Sequence, residues 1–409
     1  MGVELPIVKL KAGVRRRAGH PWVFDGDVEA GGPGPEPGAF VRVADARGEA
    51  VGFGLWSPTS RVRVRLLVEG AGDPPELEAL LRDRLAGAVA MRDALRLADP
   101  LGAARLRLAD PLGAARLVFG ESDGLPGLVA DRYGSVVVIQ LVAAGLDRLR
   151  ETVIRLLTER LAPSAVVERS DSGGREREGL APARGLRAGA LPAGGLVPFR
   201  AGGLELVADV LAGQKTGFYL DQRDNWEVLR PLASGRRILD ACCYTGAFGL
   251  SLLLGGGTEL VGIESSQRAV GIARDLAERN GLADRARFVH GDAGEAMAGL
   301  ASAGEKFGFV VLDPSAFAKA RAHAGLARRA YGVMNEAALR LVAPGGFLFS
   351  CSCTPWVGAQ GLAGLVESAA RRLGRRVRLL EVRGQARDHP PHPAMPETAY
   401  LAGTLWYCE

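Results

Sequence analysis

Thiols are few in this chain: five cysteines, Cys242, Cys243, Cys351, Cys353 and Cys408, in 409 residues. An odd count this sparse excludes a disulfide framework, so reduced thiols are expected. Long apolar runs are missing as well. Stretches such as "SVVVIQLVAAG" from Ser135 fall short of the roughly 20 residues that cross a bilayer. The first residues also lack the charged, apolar and small-residue segments of a secretory signal. A cytoplasmic protein with no membrane partner is the expectation. Lysine is nearly absent, five (Lys9, Lys11, Lys215, Lys306, Lys319) among 51 basic residues, so a lysine can mark a place where a compact ammonium is preferred to a planar fork. A general basic coat is excluded by 46 acidic residues and a net charge of +5, so any nucleic-acid surface must be local.

What is present is enough chain for two or three domains, 47% of it apolar. The first 70 residues read as short strands joined by Gly, Pro and Asp turns. In "RVRVRLLVE" a period of two sends Arg61, Arg63 and Arg65 to one face and Val62, Val64 and Leu66 to the other. Upstream, "KLKAGVRRRAGHPWVF" sets Lys9, Lys11 and Arg15 to Arg17 beside His20 and Trp22, the mix of cations and aromatics that single-stranded RNA binders use; a solvated charged loop with a buried tryptophan is the competing reading. Residues 75–97 have a helical pattern. Then "LRLADPLGAAR" occurs twice in tandem, over 95–105 and 106–116. Two units of 11 residues are too few and too short for a solenoid, and their prolines and glycines point to an exposed insertion. "VVVIQLV" and "SAVVERSD" read as strands flanking a helix at Leu146–Leu161, a small α+β unit, and "GGREREGLAPARGLRAGALPAGG" reads as a linker or mobile loop.

From about Gly203 strands and helices alternate, as in a parallel sheet covered on both faces. Ligands of such sheets sit beyond the carboxyl ends of the strands. Asp240, Glu264, Asp292 and Asp313 occupy those ends at separations of 24, 28 and 21 residues, one strand-plus-helix unit each. Glu264, after the second strand, is placed to accept both ribose hydroxyls of an adenosine ligand, and Asp292 to take the adenine amino group. A nicotinamide enzyme would show G-x-G-x-x-G after the first strand, where a pyrophosphate demands glycines. Here the turn is "DACCYTG", which favours S-adenosylmethionine, a ligand without pyrophosphate.

Taken together, "GHPWVFDGDV", "FGESDGLPGLVADRYG", "VERSD", "GQKTGFYLDQRDN", "ILDACCYTGAFGL", "FVVLDPSAFAK", "SCSCT" and "DHPPHPAMPETAYLAG" resemble, in order and nearly end to end, the bacterial class I methyltransferases that form 5-methylcytidine in large-subunit (23S) ribosomal RNA. The resemblance implies an α/β architecture of a PUA-like RNA-binding domain (1–70), a central α+β domain (71–195) and a Rossmann-like catalytic domain (196–409). It implies S-adenosylmethionine as cofactor, ribosomal RNA, naked or partly assembled, as partner, and the thiol of the "SCS" motif, Cys353, as nucleophile with Asp313 beside it. Cofactor contacts are expected from Asp221, Gln222 and Arg223, from Asp240, Tyr244, Thr245 and Gly246 at the first turn, from Glu264 and Ser265, from Asp292 and Ala293, and from Asp313. RNA contacts are expected from Lys11, Arg15, Arg16, Arg61, Arg63, Arg65, Lys215 and Lys319. The chain departs from the family in Ser315, where the family has a second proline, and in the duplication. The oligomeric state is not written in the sequence, a homodimer being one option.

The chemistry agrees with these residue types. C5 of cytosine is a poor nucleophile until a thiolate adds to C6 and turns it into an enamine-like carbon. Amino-directed methyltransferases use D-P-P-Y/F, but here the fourth position is Ala316 and the aromatic, Phe317, comes fifth. Alternation points Cys351 and Cys353 to one face, and Cys353, nearer the strand end, is the nucleophile candidate. A zinc site from Cys351, Cys353, His389 and His392 departs from finger spacings and has proline beside both histidines, so no metal is expected. The alternatives are a non-catalytic RNA-binding or assembly protein of this fold, and a methyltransferase acting on another RNA base.

Overall fold

A computed structural model describes residues 4–29, 34–95, 97–98, 105–106, 112–317 and 323–409. The chain opens with strands β1 (Ile7–Lys9), β2 (Trp22–Phe24), β3 (Phe40–Ala44), β4 (Ala50–Trp56) and β5 (Val62–Glu69), which form one sheet in the order β1-β3-β4-β5-β2. The alternation read in β5 is real: Val62, Val64 and Leu66 are buried. Helix α1 (Leu77–Ala94) follows, then a two-residue pair, β6 (Leu97–Ala98) with β7 (Arg105–Leu106).

The central sheet runs β12-β11-β10-β9-β8, built from β8 (Ala114–Phe119), β9 (Leu128–Tyr133), β10 (Val136–Leu141), β11 (Ala165–Ser170) and β12 (Ala183–Gly189), with α2 (Ala144–Arg148) and α3 (Arg150–Leu161) between β10 and β11. Two expectations fail here. The second copy of the duplication is not an exposed insertion along its whole length: Ala114, Ala115 and Arg116 begin the edge strand β8 and are buried. The segment read as a linker holds β12, whose side chains are mostly exposed, while Arg175 and Glu178 just before it are buried. An edge strand with both faces near water carries no apolar period, so composition alone reads it as loop.

The N-terminal sheet is seated tightly on this unit. A Cβ at Gly145 would lie 2.3 Å from the Leu55 side chain, and Leu55 and Leu67 share a core with Leu81, Leu85, Leu117 and Leu146.

A hairpin, β13 (Leu196–Ala201) with β14 (Leu204–Asp209), and helix α4 (Arg223–Leu229) lead into a seven-stranded sheet. Its strands are β15 (Arg237–Ala241), β16 (Glu259–Glu264), β17 (Ala286–His290), β18 (Phe307–Leu312), β19 (Val342–Ser352), β20 (Val377–Arg383) and β21 (Ala402–Cys408), in the order β17-β16-β15-β18-β19-β21-β20. The first five run parallel, and β21 is antiparallel to both its neighbours. Helices α5 (Ala247–Leu254), α6 (Gln267–Arg279), α7 (Ala293–Ser302), α8 (Ala324–Leu341) and α9 (Ala359–Arg372) cover it. Strand order reverses beside β15, which opens a crevice at the carboxyl ends of β15 and β18. One core cluster joins Tyr133, Val138 and Val167 of the central sheet to Phe199, Phe218, Trp226 and Phe248. Among the described residues no helix is long and apolar enough to cross a membrane.

Candidate active site at the strand ends

The turn after β15 is wound by left-handed residues at Cys242 (φ 65°), Tyr244 (φ 50°) and Gly246 (φ 77°). For non-glycine residues this costs about 1 kcal/mol or more each, so the surroundings must enforce it. The Tyr244 amide donates to Glu264 Oε2 at 2.9 Å and the Cys243 amide to the Ile263 carbonyl at 3.0 Å. At Gly246 a Cβ would stand 2.6 Å from the Phe288 ring. Glu264 Oε1 accepts from the Ser266 amide at 2.8 Å and the Ser265 hydroxyl at 3.2 Å. Oε1 is thus engaged by two donors, whereas Oε2 accepts one and keeps a lone pair for a ligand hydroxyl; the Ser265 hydroxyl is the donor a second ribose hydroxyl would displace from Oε1.

Asp240 is turned inward, buried, and accepts from the Gly249 amide at 2.8 Å. Burial, then the nearby Asp313 and Glu264, push its carboxyl up to about 7. It braces the turn from beneath rather than facing the crevice. Asp292 is exposed and caps α7 through the Glu295 amide at 3.0 Å, with Ala293 buried beside it.

Asp313 follows β18 and Cys353 follows β19, neighbouring parallel strands. The Cys353 sulfur lies 4.0 Å from the Pro314 carbonyl, which brings the thiol to the Asp313 loop. Both are half-buried. Asp313 Oδ2 accepts from Gln222 Nε2 at 2.8 Å; burial and Asp221 push this carboxyl up to about 7. The Cys353 thiol is raised to about 11 by burial and then by Asp313, with Lys215 acting in the opposite sense. Cys351 is fully buried, its sulfur accepting from Gln222 Nε2 at 3.3 Å. All five cysteines are free thiols.

The loop before β15 closes one side of the crevice. Asp221 Oδ2 accepts from Lys215 Nζ at 2.7 Å and from the Tyr400 hydroxyl at 2.5 Å. Burial would raise this carboxyl, but Lys215 and His389 hold it well below the usual range. The Lys215 ammonium also lies 4.5 Å from the centre of the Tyr219 ring, and Tyr219 meets Tyr244 edge-on at 5.1 Å. Sequence reasoning gave no role to Tyr400, 179 residues from Asp221; it stands in a segment that carries the family resemblance, but spacing does not tell which side chain returns to the site. Arg223 departs from expectation: it is buried and bonded to the Ala114 carbonyl at 2.7 Å and Asp388 at 3.0 Å, so it supports the loop from behind.

Among the described residues, the buried Asp221 Oδ1 and Thr245 Oγ1 have no hydrogen-bond partner. These two orphaned oxygens, with the spare lone pair of Glu264 Oε2, suit a ligand that carries both an amine and a ribose. The residues present therefore fit S-adenosylmethionine.

The expected RNA-binding arginines divide. Arg65 pairs with the buried Glu178 of the central unit at 2.7 Å, and is a tether rather than a free cation. Arg16 pairs with Glu69 at 3.0 Å and Lys11 donates to the Gly26 carbonyl at 2.8 Å. Arg15 and Arg61 are exposed, and Arg63 is half-buried with a long 3.5 Å contact to the Ser57 carbonyl. Lys319 lies outside the described residues.

Comparison with known proteins agrees with this geometry. Residues 7–69 match a PUA-like domain, and residues 197–401 match the S-adenosylmethionine-dependent methyltransferase family. The chain is 35% identical over 385 residues to ribosomal RNA large subunit methyltransferase I of Erwinia tasmaniensis, covering 94% of each chain. It is 36% identical over 387 residues to the protein of that name from Aeromonas hydrophila, again covering 94% of each. Among solved structures it is similar in fold to a SAM-dependent methyltransferase from Streptococcus mutans, with a TM-score of 0.78 at 14% identity over 98% of this chain and 100% of that one. A methyltransferase solved in complex with SAH has the same TM-score, 0.78, at 15% identity over 98% of this chain and 99% of that one.

Proposed function

The chain belongs to the S-adenosylmethionine-dependent methyltransferases, in the group named ribosomal RNA large subunit methyltransferase I, and from that premise we propose that it forms 5-methylcytidine in large-subunit ribosomal RNA through a covalent adduct on Cys353. The observation that carries the reading is the half-buried Cys353 thiol set 4.0 Å from the Pro314 carbonyl at the adjacent strand end, beside Asp313, whose carboxyl is pushed up to about 7 by burial and Asp221.

Glu264 would hold the ribose hydroxyls, Asp292 the adenine amino group, and Asp221 with Thr245 the amino-acid end of the cofactor. Bound S-adenosylmethionine supplies a methyl group on a positively charged sulfur. Cys353 rests as a thiol at neutral pH, and a positive charge entering the crevice lowers its pKa. Cys353 loses its proton to solvent as the base enters, and the thiolate adds to C6 of the extruded base while Asp313 gives its own proton to N3, leaving an enamine whose nucleophilic carbon is C5. After C5 is methylated, loss of its proton to a base and departure of the thiolate restore the ring. Ser315, exposed beside Asp313, leaves the carboxyl and the first proline in place.

Large-subunit RNA carrying 5-fluorocytidine tests this, because fluorine cannot leave as the C5 proton does. Wild type is expected to trap a covalent adduct on a peptide containing Cys353, and Cys353→Ala to lose methyl transfer while still binding S-adenosylmethionine. An adduct on Cys351, or an active Cys353→Ala enzyme, would overturn the assignment.

A further inference from the structure

Gln222 stands at the end of a line of side chains whose hydrogen-bonding sense admits one solution. It begins at Arg383 of β20, whose Nε donates to Asn225 Oδ1 at 2.8 Å. A guanidinium can only donate, so the oxygen of the Asn225 amide must face it. Asn225 Nδ2 then donates to the Gly384 carbonyl at 3.1 Å and to Gln222 Oε1 at 2.7 Å. A backbone carbonyl can only accept, so Asn225 is fixed at both ends. With its own oxygen committed, Gln222 turns its nitrogen outward, and Nε2 donates to Asp313 Oδ2 at 2.8 Å and to Cys351 Sγ at 3.3 Å. Asn225 is 1% and Gln222 5% exposed, so water does not offer either amide an alternative partner.

We propose that Gln222 is a positioning residue whose amide, oriented by Asn225 and Arg383, holds Asp313 Oδ2 as an acceptor and so reserves Oδ1 as the oxygen that carries the proton offered to the base. This rests on the reaction argued above and reassigns Gln222, expected from sequence to contact the cofactor. The reason is directional. Nε2 has no lone pair, and an N–H donor binds the unprotonated oxygen of a carboxyl more strongly than the hydroxyl oxygen. Other groups facing Asp313 are Asp221 and Lys215 from the preceding loop, Asp240 and Cys242 from β15 and its turn, Cys351 and Cys353 from β19, Tyr219, and Tyr331 from α8. Of these, Lys215 and Cys351 act with Gln222 to favour the ionised carboxyl, against burial and Asp221.

The test is a carbon-13 titration of the aspartate carboxyls, with Asp313 assigned by its loss in Asp313→Asn. Wild type is expected to titrate near 7 at Asp313. Gln222→Leu removes a donor to the ionised form, so the midpoint should rise by about one unit, while kcat falls on the order of 10- to 100-fold and cofactor affinity stays within about twofold. Asn225→Leu, which touches neither Asp313 nor the crevice, leaves Gln222 free to flip and should move the midpoint the same way by less. A midpoint unchanged or lowered in Gln222→Leu overturns the proposal, as does a tenfold loss of cofactor affinity at an unchanged midpoint. The titration needs no turnover. Absence of 5-methylcytidine in the wild type would therefore count against the reaction alone, while the midpoint still decides the relay.

Discussion

Asp388 and Asp313 are both carboxyls withdrawn from water, and their surroundings drive them in opposite directions. Burial alone would raise each. Around Asp388 that tendency is overturned by Arg223, 3.0 Å away, by His389 at 2.8 Å, and by the Arg116 amide, so the carboxyl lies far below the ordinary range. Arg116 is in turn paired with Asp131 at 2.6 Å, and Arg92 with Asp123 at 2.5 Å and the Asp388 carbonyl. This hub ties α1 and the central sheet to the start of α4 and to the segment before β21. At the crevice Glu264 and Asp313 lie close enough to the buried Asp240 beneath the turn for the acids to raise one another, and Lys215, the cation acting on Asp313, is itself bound to Asp221. A structural cluster saturates its charges. A reactive one leaves them unbalanced, which is how a carboxyl comes to hold a proton near neutral pH.

The contrast predicts its largest effect in the hub. Asp388→Ala leaves the buried Arg223 with only the longer 4.0 Å contact to Asp224 and should cost about 3 to 5 kcal/mol of unfolding free energy, read by urea denaturation. Asp313→Asn, in the unsaturated cluster, should cost far less stability. Equal losses would abolish the distinction. In the crevice the loss should fall on binding instead. Glu264→Ala removes a charged acceptor for two hydroxyls and should weaken S-adenosylmethionine binding by roughly 2 to 4 kcal/mol, measured by calorimetry. An unchanged affinity removes Glu264 from the site.

Much of the crevice was legible in the sequence because its acids recur once per strand-and-helix unit, and topology places the ends of such units together. What was not legible depends on partners far along the chain. Nothing near Arg65 announces Glu178, and nothing near Arg223 announces Asp388, so the first read as an RNA contact and the second as a cofactor contact. Tyr400 reaches the site by chain return, and β12 was missed because an exposed edge strand has no inward face to mark with apolar residues.

The pH dependence of stability follows from the unsaturated cluster. The folded pKa of Asp240 is about 7, above the ordinary 3.8, so between those values the folded state binds a proton that the unfolded chain releases. Its contribution is complete below about pH 4 and is lost as pH rises toward 7, at most about 1.4 kcal/mol per pH unit for one proton. Asp240→Asn keeps an oxygen for the Gly249 amide and cannot ionise. Unfolding free energies measured from pH 4 to 7 should thus decline less steeply in the variant. Parallel curves would mean that Asp240 is not held protonated.

The smallest effect expected separates cations that are free from those already spent. A cation that touches a phosphate adds about one unit to the salt slope of RNA binding, and its removal should subtract the same amount. Arg61 is exposed and Arg63 has only a 3.5 Å contact to a carbonyl, so Arg61→Gln with Arg63→Gln should lower the slope by up to about 2 units and leave cofactor affinity alone. Arg65, bound to Glu178 at 2.7 Å with its side chain 11% exposed, should behave like the hub. Arg65→Gln strands a buried carboxylate, so it should weaken the attachment of the N-terminal sheet and lower thermal stability while the slope stays within error. A slope that falls for Arg65→Gln and holds for the other two would reverse the assignment of the face, and would place RNA against the seam between the first two units.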